Sequence, residues 1–208
     1  MHEIMRILIA CESSGAGEMG VADLKRAGFP PRAQVVVLSV ADVLMPPTVS
    51  APLGSSAPAR AARKHAERAV EEAQRAAAQA RHRIVAAFPQ WDVHVEVCAD
   101  SPAWAIIKKA DDWCPAVVVV GSHHRSALGR FMLGSVSHKV LSEAHCSVRI
   151  ARQTAIERDQ PPRLLIGFDG SANAKAAVEA VARRCWPPGT QAHVVSVLDA
   201  MLLSSTQS

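Results

Sequence analysis

Short apolar runs alternate along the first 150 residues with stretches that are alanine-rich and charged, or rich in turn formers. Residues 6–10 (Arg-Ile-Leu-Ile-Ala) form one such run, broken by Cys-Glu-Ser-Ser, and predict a buried strand followed by a loop. Residues 17–27 predict a short helix. Pro30-Pro31 stops it, because proline lacks the amide donor and drives its predecessor out of the α region. The β-branched run 34–40 predicts a second strand, and the Pro/Ser/Gly-rich stretch 44–58 a loop. Residues 59–88 are dense in alanine, the strongest helix former, and predict a long helix. Residues 93–97 alternate with His94 and Glu96 and predict a less buried third strand. Residues 102–113 read as a helix with Ser101 as N-cap and Pro102 at the first helical position. The uniformly apolar run 116–120 predicts a central strand buried on both faces. A loop at 121–133, a helix at 135–144 and a fifth strand at 147–151 complete the pattern. Strands alternating with helices predict an α/β fold with a mostly parallel five-stranded sheet, and right-handed crossovers put helices on both faces.

The pattern then begins again. Residues 6–43 align without gaps onto 163–200, an offset of 157 positions. Arg6-Ile-Leu-Ile-Ala matches Arg163-Leu-Leu-Ile-Gly, Glu12-Ser-Ser14 matches Asp169-Gly-Ser171, and Pro30-Pro31 matches Pro187-Pro188. Ser39-Val40 matches Ser196-Val197, and Asp42 matches Asp199. An ungapped match over strand, helix and strand predicts a second copy of the same unit. The expected organisation is a complete domain over 1–152, a linker over 153–162, and a truncated second β-α-β copy over 163–208. Such a fragment leaves a strand edge and an apolar face to be covered by the first domain or by a second chain.

Composition narrows the function. Of 208 residues, 49% are hydrophobic and 20% charged, which is globular rather than disordered. No apolar run approaches the roughly 18 residues that span a bilayer, and residues 7–11 are too short for a secretory signal core. The expectation is a cytoplasmic chain without a membrane partner. The net charge of +4 comes largely from residues 60–83, which also hold Glu67, Glu71 and Glu72, so it reads as a solvated helix face. Aromatic residues are 4%, too few for base-stacking platforms, and no nucleic-acid partner is expected. Cys11, Cys98, Cys114, Cys146 and Cys185 are widely and irregularly spaced, so they read as buried reduced thiols rather than a disulfide or zinc framework.

The chemistry concentrates after the fourth strand, in Gly121-Ser-His-His124 and onward to Gly134-Ser135-Val136-Ser137. Glycines let a backbone approach a ligand and present N–H groups. Gly134-Ser135 opens a helix, whose first-turn donors and positive dipole end favour an anion. The loop follows the carboxyl end of a central strand, where open α/β sheets bind ligands. Arg125 and Arg130 add positive charge. The same residues read equally well as a surface loop with a serine N-cap.

Three rival readings are weaker. Gly15-Ala-Gly17-Glu-Met-Gly20 matches a dinucleotide fingerprint, with Asp42 as the ribose acid. But four residues separate its first glycine from the strand, Asp42 comes too late, and the repeat has no glycines there. His123, His124, His138 and His145 lie near Cys146, but His138 and His145, seven apart on one predicted helix, stand about 10 Å apart by helical rise, too far for one metal ion. No Walker A sequence, Gly-x-Ser-x-Gly elbow or paired carboxylates appear, so no enzyme is expected beyond slow ATP hydrolysis.

The post-strand loop resembles the signature of the universal stress protein family, Gly-x2-Gly-x9-Gly-[Ser/Thr], with Gly121, Gly134 and Ser135 in register and His124 at the second glycine. Glu12-Ser-Ser14 is similar to the family's Asp-Gly-Ser, which Asp169-Gly-Ser171 matches in full. Residues 137–152, ending in Cys146-Ser-Val-Arg-Ile-Ala-Arg, resemble its last helix and strand. The resemblance implies a Rossmann-like sheet of strand order 3-2-1-4-5, tandem copies, and a homodimer through the fifth strand or the partial second repeat. It implies binding of ATP, with Mg2+, by a stress-response sensor or regulator, or else a nucleotide-independent dimeric scaffold. The implied adenine and ribose residues are Ala10, Cys11, Glu12 and Val40. The implied phosphate residues are Gly121, Gly134, Ser135 and Val136, with Ser122 and His124 beside them. Titrating His124→Gly with ATP separates obstruction by the imidazole, which predicts tighter binding, from ligation, which predicts weaker binding.

Overall fold

The computed structural model describes residues 4–11, 21–43, 57–121, 133–151 and 160–197; expectations for all other positions lie outside the described residues. The chain divides into two compact units, one of residues 1–23 and 31–154, the other of residues 24–30 and 155–208.

Four consecutive valines, Val117–Val120, are at most 2% exposed. A strand can bury every side chain only when layers cover both faces of its sheet. This strand, β4 (Val117–Gly121), pairs in parallel with β1 (Met5–Cys11), with Ile7 opposite Val117. β1 pairs in turn with β2 (Ala33–Ala41), and β2 with β3 (Asp92–Ala99). β5 (Ser147–Ala151) pairs with the other side of β4. The result is a five-stranded parallel sheet in the order β3-β2-β1-β4-β5, as the family resemblance implies. The strand read as less buried, β3, is an edge strand in which only Val93 is buried.

Helices supply the layers. α1 (Val21–Lys25) follows β1. α2 (Ala57–Ala87) buries Ala73, Ala77, Ala80 and Ile84, a spacing that places them on one stripe, and packs on β2 and β3. Its charges face water, where Arg63–Glu67 and Glu71–Arg75 form exposed pairs four residues apart. α3 (Pro102–Trp113) buries Ala103, Ile106, Ile107 and Ala110. With Val140 of α4 (Ser135–Glu143), these residues cover Leu8, Val36, Leu38, Val118 and Val120. Ile7, Ile9, Val35 and Val37 point the other way by strand alternation and are fully buried too. Arg149 on β5 ties α1 to the sheet, donating from Nε and Nη2 to the Asp23 carboxylate at 2.7 and 2.8 Å.

Ser101 is the N-cap of α3 with Pro102 following, as expected, though without a side-chain cap bond; its backbone N–H donates to the Asp100 carboxylate at 2.6 Å. The expectation for the cysteines is corrected. The thiols are free but none is fully buried: Cys11, Cys98 and Cys146 are half-buried, and Cys114 and Cys185 are exposed. Cys114 ends α3 in the left-handed conformation (φ 47°), and its thiol donates back to the Asp111 carbonyl at 3.2 Å.

Ser39 is fully buried on β2, and its hydroxyl has no hydrogen-bond partner among the described residues. An unpaired buried hydroxyl costs about 1–3 kcal/mol. Ser39→Ala removes that cost and leaves a void of a single atom, so stability should rise by about 1 kcal/mol in urea unfolding. A fall would show that the hydroxyl is satisfied in solution.

The second unit contains β6 (Arg163–Gly167), α5 (Ala172–Ala182) and β7 (Gln191–Val195). β6 and β7 pair in parallel with Arg163 opposite Gln191, the register of Arg6 opposite Gln34 shifted by the 157-residue offset. At the start of α5, the Ser171 N–H donates to the Asp169 carboxylate at 2.9 Å, and the Ser171 hydroxyl accepts from the Ala174 N–H at 3.1 Å. Hydrogen bonding from the Ser171 hydroxyl, and then from its backbone N–H, holds the Asp169 carboxyl below its ordinary range. Within the same unit, Gly28 has φ 65°, and a Cβ there would come within 2.8 Å of the Trp186 ring, so both conformation and space require glycine.

Candidate functional site

A cleft of about 210 Å³ opens at the carboxyl ends of β1, β2 and β4. In a sheet ordered 3-2-1-4-5, chain connections leave β1 and β4 in opposite directions, and the crevice between them is unfilled by crossover helices. The floor is apolar. Leu38 and Val40 come from β2, Ala10 from β1, and Val120 from β4. Pro102 and Ile106, four apart and therefore on one face of α3, form a wall. The volume is below the 300–1,000 Å³ of sites that enclose a whole drug-sized ligand, so it fits one flat, apolar portion of a ligand whose remainder extends outward.

The rim differs from side to side. On the β2 side stands Asp42, the one charged side chain among the described lining residues. On the β4 side, Gly121 ends its strand and α4 begins, with Val136 and Ser137 in the lining. The Ser137 hydroxyl donates to the Gly121 carbonyl at 2.7 Å, fixing the start of α4 to the end of β4. Gly134 is the N-cap of α4, with φ −64° and ψ 157°, and supplies no side chain to its first-turn amides. Among the described residues, a Cβ built at Gly121 or Gly134 would meet nothing within 4 Å. Neither a positive φ nor packing against the described residues demands glycine at these two positions. A glycine beside helix-terminal donors lets a backbone come close to an anion.

The expected site residues distribute as follows. Ala10, Cys11, Val40, Gly121 and Val136 line the cleft together. Gly134 and Ser135 stand at the start of α4, next to the lining but outside it. Glu12, Ser122 and His124 lie outside the described residues. Leu38, Pro102, Ile106 and Val120 join the lining without having been singled out from sequence, and Ser137, the last residue of the post-strand motif, joins it too. Leu38 was legible through its period-two relation to Val40; α3 was not, because its approach depends on the packing of its buried face. Asp42, weighed as the acid of a dinucleotide fingerprint, proves to be a rim residue of this cleft.

The histidine expectation changes as well. α4 ends at Glu143, so His145 is not on the helix with His138; its Nδ1 lies 3.1 Å from an Asp111 carboxylate oxygen.

Burial pushes the Cys98 thiol above its ordinary range, and the Asp100 and Glu96 carboxylates add to the shift. Burial does the same at Cys146, outweighing a backbone hydrogen bond from the Val118 segment that lowers it. Because the thiolate is the nucleophile, Cys98 and Cys146 should react with iodoacetamide at pH 8 several times more slowly than exposed Cys114 and Cys185. Peptide mass mapping over time reads the order, and equal rates would refute it.

The sequence profile described as the universal stress protein family matches residues 4–152. A universal stress protein of Mycobacterium tuberculosis is 40% identical over 67 residues, covering 32% of this chain and 22% of that protein. One of Methanocaldococcus jannaschii is 32% identical over 66 residues, covering 31% and 39%. The matched segment thus spans about a fifth of the mycobacterial relative. Among solved structures, UspA of Lactobacillus plantarum is similar with a TM-score of 0.54 at 18% identity, over 73% of this chain and all of that one. A universal stress protein of Archaeoglobus fulgidus is similar with a TM-score of 0.62 at 19% identity, over 97% of this chain and 70% of that one. At these identities the likeness is one of fold.

Proposed function

This chain belongs to the universal stress protein family, and we propose that it is an adenine-nucleotide binder, taking ATP with Mg2+, that acts as a stress-response sensor or regulator. The carrying observation is the pair Gly121 and Gly134, whose Cβ positions meet no described residue, beside the start of α4 at the mouth of an apolar cleft. The base lies on Leu38, Val40 and Ile106. The phosphates extend past Gly121 toward the first turn of α4, where Ser135 and Val136 present backbone N–H groups. Glu12, Ser122 and His124 belong to the same site by their place in the signature. Binding rather than turnover is supported by the lining: the Ser137 hydroxyl is engaged with Gly121, and the one described charged group, Asp42, stands at the opposite rim. Any hydrolysis is slow.

In this reading, bound nucleotide biases the conformation or assembly of a homodimer. β5 ends the sheet with one edge unpaired among the described residues, which supports pairing with a second copy there. A second copy of the module opens at residue 163, supported by the shared strand register.

Calorimetric titration of the purified chain with Mg-ATP, with AMP and NADH alongside, tests the proposal. Micromolar ATP binding with weak NADH binding is the expected result. Folded protein that binds neither ATP nor AMP would overturn it.

A further inference from the structure

Among the described residues, the charged group and the helix-terminal donors of the cleft lie on opposite sides of β1. Asp42 stands just beyond the end of β2, while Gly121 and the start of α4 stand at the end of β4. β2 and β4 are the two neighbours of β1, so two strand spacings, about 10 Å, separate the carboxylate from the helix start. Between them the floor is apolar. A carboxylate accepts hydrogen bonds and repels anions; a helix start does the reverse. A ligand that satisfies both ends carries an anion at one extremity and a hydrogen-bond donor at the other, with a flat apolar body between.

In an adenine nucleotide the donor farthest from the phosphates is the exocyclic amine of the base. The ribose hydroxyls are closer to the phosphates, and lie on the β1 and β4 side once these are at α4. We infer that the Asp42 carboxylate is the base-specificity residue of this cleft, accepting a hydrogen bond from the 6-amino group and excluding purines that carry a 6-oxo group. Seated in the same way, a 6-oxo purine sets two acceptors against each other at position 6, and its N1–H reaches the carboxylate only if the base shifts along its edge, a mismatch that weakens binding. The inference rests on the nucleotide reading above and specifies which nucleotides the site takes.

The experiment titrates wild type and Asp42→Asn with Mg-ATP, Mg-ITP and Mg-dATP by calorimetry. ITP differs from ATP in a 6-oxo group and an N1–H where ATP has a 6-amino group and a bare N1, and dATP differs in lacking the 2′-hydroxyl. Asp42 is exposed, so the substitution should leave the melting temperature unchanged. Wild type should prefer ATP over ITP by about tenfold or more, the scale of one hydrogen bond to a charged group. An asparagine amide both donates and accepts, so Asp42→Asn should bring the ATP-to-ITP ratio within about twofold of unity. The ATP-to-dATP ratio should not change. A wild-type preference that survives Asp42→Asn would overturn the inference while leaving nucleotide binding intact. A variant that alters discrimination against dATP would assign the carboxylate to the ribose and overturn it as well. Wild type that binds none of the three would overturn the nucleotide reading and the inference together.

Discussion

Gly134→Val should weaken ATP binding about a hundredfold or more while the protein stays folded. The substitution is mild for the fold. The backbone there has φ −64°, which L residues adopt freely, and no described residue lies within 4 Å of the added Cβ. Valine is a poorer N-cap than glycine, at a cost of roughly 1 kcal/mol or less. For the ligand the change is severe, because the branched side chain fills space beside the first-turn amides of α4. Losing two hydrogen bonds to a charged phosphate costs about 3 kcal/mol or more, and each 1.4 kcal/mol is a factor of ten in affinity. Calorimetry gives the dissociation constant, and a circular dichroism melt checks the fold. Unchanged affinity in a folded variant would place the phosphates elsewhere.

The largest effect on stability should come from Leu8→Ala. Leu8 is fully buried on the central strand and packs in the cluster formed with α3 and α4. Its neighbours Val36 and Val118 are held in register on both sides by parallel pairing, so the strands cannot collapse into the void. Poorly relaxed leucine-to-alanine sites cost about 3–5 kcal/mol. For a unit of this size that corresponds to a fall in Tm of roughly 6–20 °C. A loss below about 1.5 kcal/mol in urea unfolding would mean that the sheet closes around the missing side chain.

Elements with one dominant local signal were legible in the sequence. Four valines in a row have only one environment in an α/β fold, and β4 is that strand. The alanine stripe 73, 77, 80, 84 carries its own helical period, and the predicted helix matches α2 within two residues at each end. Signals set by neighbours were less legible. The repeat alignment extends the second strand of the second copy through Ser196 and Val197, yet β7 ends at Val195. β2 runs through Ala41 because β3 pairs with it to the end and α2 packs on it; β7 pairs with β6 alone. The same holds for the site. Gly121 and Val40 are motif and strand-end positions, visible in one dimension. Pro102 and Ile106 enter the cleft only because the buried face of α3 turns them there, and no spacing along the chain encodes that approach.

The pairing of Ile7 with Val117 also has a consequence for synthesis. The central strand leaves the ribosome early, but its second neighbour is translated roughly 110 residues later, about 5–20 s at ordinary elongation rates. Through that interval β1 has β2 on one edge and nothing of its own domain to put on the other. The nascent chain therefore carries an open, strongly apolar edge for seconds, and its yield should depend on chaperones that hold such edges during translation.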